Sequence, residues 1–310
     1  MRVQFGLGGE RIGPAVLAVG SFDGLHLGHL EVLRRVVAGA REMGSRATWI
    51  TFDPHPRCVL DPANCPQQIT TLEERVELAR PLGFDDAIVV GFTRDVAALS
   101  AEEFMRLVLE SIEVRRLVVG FDFALGRGRA GTTSWLGEHA REHGYELEVV
   151  PPFALEGGEV HSSDVRRLIT LGEVERAGGL LGRQYSVSGL VEPGDRIGHE
   201  IGFPTVNLAV PPGKLVPGRG IYAGWARDMA ADGPLYQAAI SIGYRPTFGK
   251  TELRVEAYLL DFHGDLYERR VELRFVARLR DELKFSDSAE LSDAIATDVA
   301  DTRRVLSERG

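Results

Sequence analysis

Short apolar runs alternate with helix-patterned segments from Val16 to about Val150, and this alternation constrains the fold more than any other feature. The first run, Val16 to Val19, is followed by apolar residues at helical spacing between Leu30 and Val37. Later strand-like runs are Ala47 to Phe52, Ala87 to Gly91, Leu117 to Phe121 and Tyr145 to Val150. Strands that alternate with helices form a parallel sheet, so we predict a doubly wound, Rossmann-like α/β domain.

The pattern changes after Pro151 and Pro152. Helical patterns over Ser162 to Leu171 and Glu173 to Leu181 lead into β-rich segments separated by glycine and proline. These segments are Val187 to Val191, Ile221 to Arg227, Tyr236 to Ile242, Leu253 to Phe262 and Val271 to Leu279, and a helix from about Ser288 to Ser307 follows. The pattern predicts a small antiparallel β-barrel, with domains at residues 1–182 and 183–310.

Composition excludes several classes of protein. A formal net charge of -9 argues against a nucleic-acid-binding protein, which usually carries a basic stripe. The chain has neither an apolar run long enough for a membrane helix nor a signal-peptide pattern, so we expect no membrane partner and a cytoplasmic location. Cys58 and Cys65 match no zinc or redox spacing, and we expect reduced thiols. The oligomeric state stays open.

The run Gly20 to His29 reads GSFDGLHLGH and lies at the predicted junction between the first strand and the first helix. Backbone N–H groups and the dipole at a helix N-terminus favour an anion, and glycines allow its close approach. His26 and His29 share one helix face and add two donors. Alone, the pair also fits a capped helix with solvated histidines or a metal pair; the flanking glycines, strand and helix favour phosphate binding.

This run resembles the signature of nucleotidyltransferases, and specifically that of the FMN adenylyltransferase half of bacterial FAD synthetases. The resemblance implies that His26 and His29 are catalytic. It implies nucleotide binding by the remaining signature residues, namely Gly20, Phe22, Asp23, Gly24 and Gly28. The reaction implied is in-line attack of the FMN phosphate on the α-phosphorus of ATP, helped by positioning and charge neutralisation without a covalent enzyme intermediate.

Two further segments resemble the flavin side of this family's site. The TFDPHP run ends the second predicted strand, and its prolines should hold Asp53 and His55 in a stiff loop that the resemblance places beside the flavin. The resemblance also assigns flavin binding to Asp122, Arg127 and Arg129, the arginines being able to pair with the FMN phosphate. The glycines of this loop spell a dinucleotide fingerprint, which we reject because the loop lies too far beyond its strand.

The segment that binds ATP phosphates in this family at a helix start is represented here by HSSDVR. The resemblance implies nucleotide binding by Ser162, Ser163 and Arg166. The chain departs from the family pattern at Ala124, Leu125, His161 and Asp164, and in a later loop at His199. These departures leave open a paralogue in which only the kinase half is active or the flavin or nucleotide preference differs.

The run GFPTVN resembles a riboflavin kinase segment. It implies that Gly202 contacts nucleotide and that Thr205 and Asn207 hold Mg²⁺ and ATP. A hydroxyl and an amide oxygen two residues apart on an extended chain point the same way, and both suit Mg²⁺. Further matches are Pro217 to Ala223, Ile242 to Phe248 and Val255 to Phe262. The P-loop-like run from Gly243 is rejected because its glycine spacing is wrong and strand follows.

The same resemblance makes Glu256 the general base for the riboflavin 5′-hydroxyl and places Arg280 beside the flavin. It covers nearly the whole chain and implies a bifunctional riboflavin kinase/FMN adenylyltransferase. The implied substrates are riboflavin, FMN and ATP, with FAD as the final product and Mg²⁺ needed in both steps. A non-catalytic flavin-binding regulator is the second alternative, disfavoured by retention of His26, His29 and Glu256.

Overall fold

The computed structural model describes residues 1–155, 158–194, 202–230, 233–247 and 250–309. The chain divides into two compact units, Met1–Ser162 and Ser163–Gly310. The domain boundary expected after residue 182 stays a prediction. In the part of the chain that the structure describes, no helix has the length and apolar character needed to cross a bilayer.

Six parallel strands form the sheet of the first unit. They are β1 (Arg2–Phe5), β2 (Ile12–Val19), β3 (Arg46–Asp53), β4 (Asp86–Gly91), β5 (Ile112–Gly120) and β6 (Glu146–Val150). Their order is β1-β4-β3-β2-β5-β6, so the winding direction reverses at β2. This confirms the predicted doubly wound domain. The edge strand β1 was missed because its four residues alternate polar and apolar and pair only with β4.

Helices cover both faces of this sheet. They are α1 (Leu27–Glu42), α2 (Pro56–Leu60), α3 (Leu72–Ala79), α4 (Arg94–Ala98), α5 (Ala101–Ser111) and α6 (Thr133–His143). One apolar cluster joins Leu17 of β2 to α5 and α6, and a second joins Trp49 of β3 to α1 and α3. Ser100 and Glu103 form the capping box that starts α5, and the spacing of these two residues is a local sequence signal for a helix start.

The segment after β3 differs from expectation in two respects. Pro56 does not exclude a helix; it occupies the first turn of α2, where a proline loses no intrahelical hydrogen bond. The prediction of reduced thiols is wrong, because Cys58 and Cys65 form a disulfide. Helix α2 and the 3₁₀ turn Pro62–Asn64 bring the Cα atoms of the two cysteines to 4.2 Å from each other. The spacing of the cysteines in the sequence did not reveal this proximity.

A closed antiparallel barrel forms the body of the second unit and confirms the predicted fold. Helices α7 (Ser162–Thr170) and α8 (Val174–Leu181) come before it in the chain. The strands are β7 (Tyr185–Glu192), β8 (Thr205–Ala209), β9 (Gly220–Asp228), β10 (Tyr236–Thr247), β11 (Lys250–Leu259) and β12 (Arg270–Arg280), in the order β7-β8-β11-β10-β9-β12. Helix α9 (Ser288–Arg309) packs Val305 and Leu306 against β9 and β12.

Candidate functional sites

A cavity of about 700 Å³ opens at the carboxyl edge of the parallel sheet. The loops that follow β2, β3, β5 and β6 line it, so it lies where the strand order reverses, the usual ligand position in such sheets. Nine predicted site residues are among those lining it: Gly20, Phe22, His26, Gly28, His29, Asp122, Arg127, Arg129 and Ser162. Four others, Asp23, Gly24, Asp53 and His55, are not among the lining residues.

His26 caps α1 and thereby sets the geometry of the histidine pair. Its Nδ1 accepts a hydrogen bond from the backbone N–H of His29 at 3.3 Å, and the two imidazole rings stack with their centroids 3.6 Å apart. A neutral His26 that accepts at Nδ1 carries its proton on Nε2. The cap therefore makes Nε2 a hydrogen-bond donor at the positive end of a 16-residue helix, which suits an anionic phosphate.

Gly28 and Phe22 shape the space around His26 and His29. A Cβ at Gly28 would lie 3.2 Å from Cε1 of His26, so a side chain there would push the imidazole aside. Phe22 has a φ of 47°, a left-handed conformation that is uncommon for a bulky residue. Its ring contacts His29 edge-on, with centroids 5.4 Å apart. The loop is thus held in a shape that orients the second histidine.

The buried Asp23 stabilises the loop after β2 through hydrogen bonds to the segment before α3. Its buried carboxylate accepts hydrogen bonds from the backbone N–H groups of Ile69 and Thr70, at 3.1 and 2.9 Å, and from the Thr70 hydroxyl at 3.1 Å. The Thr70 hydroxyl in turn accepts from the backbone N–H of Gly24 at 2.9 Å. The segment before α3 therefore fixes the loop that follows β2. Sequence reasoning did not identify Thr70, because its partners lie more than 40 residues away.

Arg75 is a second residue that sequence reasoning missed. It is fully buried on α3, and its Nη1 donates to the Thr51 hydroxyl at 2.8 Å and to the Phe52 carbonyl at 3.2 Å. Thr51 donates onward to the Ser21 carbonyl at 3.0 Å. Burial lowers the pKa of Arg75, although the negative charges of Asp23 and Asp53 act in the opposite direction and raise it. This chain ties the end of β3 to the loop after β2.

The arginine-bearing loop after β5 rests on the start of α5. The backbone N–H of Arg127 donates to the Leu99 carbonyl at 2.7 Å, and Nη2 of Arg129 donates to the Asp122 carbonyl at 2.8 Å. Gly126 has a φ of 73°, and a Cβ there would lie 2.5 Å from the backbone nitrogen of Ala101. Only glycine allows this approach, which brings both arginines to the cavity.

Aromatic side chains form an apolar part of the cavity wall. The ring of Phe52 lies 5.4 Å from that of Phe92 and 6.2 Å from that of Phe104, measured between centroids, and all three line the cavity. Phe121 and Phe123 line it as well. A cavity with cationic groups, a helix N-terminus and aromatic rings can bind a planar aromatic ligand that carries phosphate.

The barrel brings the three predicted kinase residues onto one surface. Strands β8 and β11 pair so that Asn207 lies directly opposite Glu256, and Thr205 lies opposite Tyr258. Directly opposed residues of antiparallel strands share a face, and residues two apart do so as well. Ala257 is fully buried in the barrel, so Glu256 points to the other face, where it lies 3.6 Å from Arg254. Thr205, Asn207 and Glu256 therefore share the outer face.

The remaining predicted residues have the following positions. Arg280 makes two hydrogen bonds to the buried Asp298, at 2.7 and 2.6 Å, which tie β12 to α9. His55 caps α2 by accepting from the N–H of Arg57 at 3.2 Å. The Ser162 hydroxyl donates a hydrogen bond to the Asp23 carbonyl at 3.1 Å. Ser163 and Arg166 lie on α7. Gly202 has a φ of 87°. His199 lies outside the described residues.

Both the α/β unit and the barrel unit match known protein families. The family model described as FAD synthetase matches residues 10–164, and the model described as riboflavin kinase matches residues 181–306. Bifunctional riboflavin kinase/FMN adenylyltransferases from Listeria monocytogenes and Bacillus subtilis are 36% and 32% identical to this chain. The first alignment covers 94% of this chain and 93% of the relative; the second covers 96% and 94%.

A crystal structure described as a macrolide-efflux protein from Streptococcus pneumoniae has the same two-part fold. It superposes with a TM-score of 0.88 at 28% sequence identity and covers 97% of this chain and 98% of its own. Fold, sites and family models together define a two-domain enzyme of flavin nucleotide synthesis. The chain belongs to the family of bifunctional riboflavin kinases/FMN adenylyltransferases, which confirms the resemblance seen in the sequence.

Proposed function

We propose that the chain converts riboflavin to FMN in the barrel unit and FMN to FAD in the α/β unit. In the first reaction the riboflavin 5′-hydroxyl attacks the γ-phosphorus of ATP, and ADP leaves. In the second, the FMN phosphate attacks the α-phosphorus of ATP, and pyrophosphate leaves. The observation that carries the proposal is the histidine pair at the N-terminus of α1, inside a cavity with two arginines and an aromatic wall. Both family models match, and nothing favours a chain with one active half.

The proposed adenylyltransfer needs donors directed at phosphate oxygens. Nε2–H of His26 is the donor that the helix cap prescribes, and His29 stacks beside it. These groups would stabilise the charge that develops on the α-phosphoryl oxygens. Gly20, Gly28 and Ser162 line the same cavity and fit a nucleotide role. The roles expected for Asp23 and Gly24 fit positioning of this loop through Thr70.

The proposed flavin subsite lies between the loops that follow β3 and β5. Arg127 and Arg129 would pair with the FMN phosphate, and the aromatic rings around Phe52 would contact the isoalloxazine ring. Asp122 lines the cavity as well, whereas Asp53 and His55 would act from its margin. Ser163 and Arg166 are proposed to bind phosphate from α7, on the strength of the sequence resemblance.

In the proposed kinase reaction Glu256 accepts the proton of the attacking hydroxyl. The Thr205 hydroxyl and the Asn207 amide oxygen, on the same barrel face as Glu256, are the hard oxygen ligands that would hold Mg²⁺. When bound, the ion would neutralise charge on the ATP phosphates. Gly202 and Arg280 would contact nucleotide and flavin respectively. Because both reactions consume ATP, we propose the cytoplasm as the location.

Two single substitutions test both sites in one protein. His29→Ala should lower FAD formation from supplied FMN by about 10²-fold or more, the scale for losing one preorganised donor, and should leave FMN formation intact. Glu256→Gln should abolish FMN formation from riboflavin and leave adenylylation intact, because the amide cannot accept the proton.

Chromatography of the products of each half-reaction, with saturating Mg-ATP, measures both effects. Each variant is its own folding control, since the half-reaction of the unaltered unit should keep its rate. Parallel loss of both activities in either variant, or full adenylylation by His29→Ala, would overturn the assignment of separate sites.

A further inference from the structure

A cluster of three side chains lies outside the cavity already described. Glu102 is in the first turn of α5, and His139 and His143 lie one turn apart at the end of α6. One ring nitrogen of each histidine and one carboxylate oxygen of Glu102 all lie within 4.8 Å of one another. None of the three residues lines the large cavity, and the flavin reactions give them no role.

His139 provides an independent reason to expect a ligand. It is 3% exposed, and its buried Nε2 has no hydrogen-bond partner among the described residues. A carboxylate oxygen of Glu102 lies 3.7 Å from this nitrogen, beyond hydrogen-bonding distance. A buried polar nitrogen without a partner carries a desolvation cost and calls for an explanation. An ion bound between the carboxylate and the two imidazoles would supply one.

The other ring nitrogen of each histidine is already engaged. Nδ1–H of His143 donates to the His139 backbone carbonyl at 3.0 Å, which leaves a lone pair on Nε2. Nδ1 of His139 lies 2.8 Å from the Tyr145 hydroxyl, whose oxygen can accept a hydrogen bond from Nδ1–H, and in that tautomer Nε2 keeps its lone pair. Metal-binding histidines usually have this arrangement, with the second nitrogen donating to an oxygen that orients the ring.

We propose that Glu102, His139 and His143 form a binding site for a divalent transition-metal ion such as Zn²⁺. Two imidazole nitrogens and one carboxylate oxygen are a ligand set that Zn²⁺ accepts, with water in the fourth position. Mg²⁺ and Ca²⁺ prefer oxygen ligands and fit poorly. A tetrahedral ion separates its ligand atoms by about 3.4 Å, so the exposed Glu102 and His143 side chains would move inward slightly. The ion would join the start of α5 to the end of α6.

One further feature fits this site. Glu102 and His143 are exposed, so an ion has a path from solvent. The site does not depend on the proposed flavin reactions, and its test uses binding alone.

The test is calorimetric titration of the chelator-treated full-length protein with Zn²⁺, without nucleotide. The wild type should bind one equivalent, and Glu102→Gln and His143→Gln should each weaken the affinity by at least about 10-fold. Both altered residues are exposed, so folding should be preserved. Glu138→Gln, on the exposed side of α6, is the charge-matched control and should bind as the wild type does.

A spectroscopic readout locates the ion. The indole ring of Trp135 lies 4.8 Å from the His139 ring, so Co²⁺ should quench Trp135 fluorescence, and a Trp135→Phe variant should lose that quenching. Four-coordinate Co²⁺ would also give strong visible absorption bands. Absence of Zn²⁺ binding by the wild type would overturn the proposal, as would equal affinity in the wild type and both ligand variants.

Discussion

At the scale of the residue, buried polar groups organise the candidate site of the α/β unit. Asp23 accepts three hydrogen bonds from Ile69 and Thr70, and Arg75 reaches the end of β3 through Thr51. Hydrogen-bond partners offset part of the hydration that a buried charged group loses; the Asp23 carboxylate is fully paired in this way, whereas only Nη1 of Arg75 has partners among the described residues. These residues act on the chemistry by positioning the loop that carries the histidines.

Replacing Asp23 with Asn should destabilise the α/β unit. The amide can still accept from Thr70, but its NH₂ group would face the backbone N–H of Ile69, leaving a buried donor without an acceptor. The expected cost is about 1–3 kcal/mol. Denaturant unfolding measures it, and Asp95→Asn, at an exposed position, should stay within about 0.5 kcal/mol of the wild type. Equal stability of the two variants would contradict a supporting role for Asp23.

At the scale of the element, the loop after β5 depends on close contact with α5. Gly126 and Gly131 both approach Ala101, which lets the loop lie flat against the start of the helix. Arg127 and Arg129 lie between these two glycines, so the contact determines where their guanidinium groups can reach. Helix packing thus positions the proposed FMN phosphate subsite.

Gly126→Ala should therefore damage both stability and adenylyltransfer. The new Cβ would meet backbone atoms of Ala101 and would also adopt an unfavourable positive φ, for a combined cost of about 2–5 kcal/mol. The KM for FMN should rise, and riboflavin phosphorylation should be unchanged. Thermal unfolding and the two separate assays measure these effects.

Gly128→Ala is the matched control for this substitution. Its φ is 66°, but a Cβ there would meet no atom within 4 Å, so only the conformational cost of about 1–2 kcal/mol applies. If Gly126→Ala proved as mild as Gly128→Ala, the close contact between the loop and α5 would not be important.

At the scale of the whole molecule, each compact unit has its own apolar core and its own candidate site. The α/β unit contains the histidine pair, and the barrel presents Glu256 opposite Asn207. Among the described residues, none is assigned to both reactions. The two steps should accordingly be separable, with FMN passing through solution.

Mixing two variants that each lack a different half-reaction tests this independence. His29→Ala alone should convert riboflavin only to FMN, and Glu256→Gln alone should leave riboflavin unchanged. An equimolar mixture should produce FAD, because FMN released by the first protein can bind to the second. Chromatography of the mixture measures the product. Failure to form FAD, when each variant retains its expected half-reaction, would show that FMN must stay on one chain.

Local sequence pattern predicted most elements and both candidate sites. The α/β alternation, the barrel strands and the capping box of α5 were predictable because hydrophobic periodicity and helix capping are properties of neighbouring residues. The strands β1 and β8 were not predictable, because both are short. Strand β1 pairs with its neighbour over four residues, and β8 pairs with each of its two neighbours over three. Site motifs were predictable for the same reason, since each is one continuous run.

The sequence by itself therefore determined the fold class, the two candidate site motifs and the family. Tertiary structure alone decided that Thr70 and Arg75 support the loop after β2 and that Asn207 lies opposite Glu256. It also decided that Cys58 meets Cys65 and that Glu102 meets the two histidines of α6. The physical reason is that motifs and periodicity are local, whereas these contacts form only when the packed chain brings separate segments together.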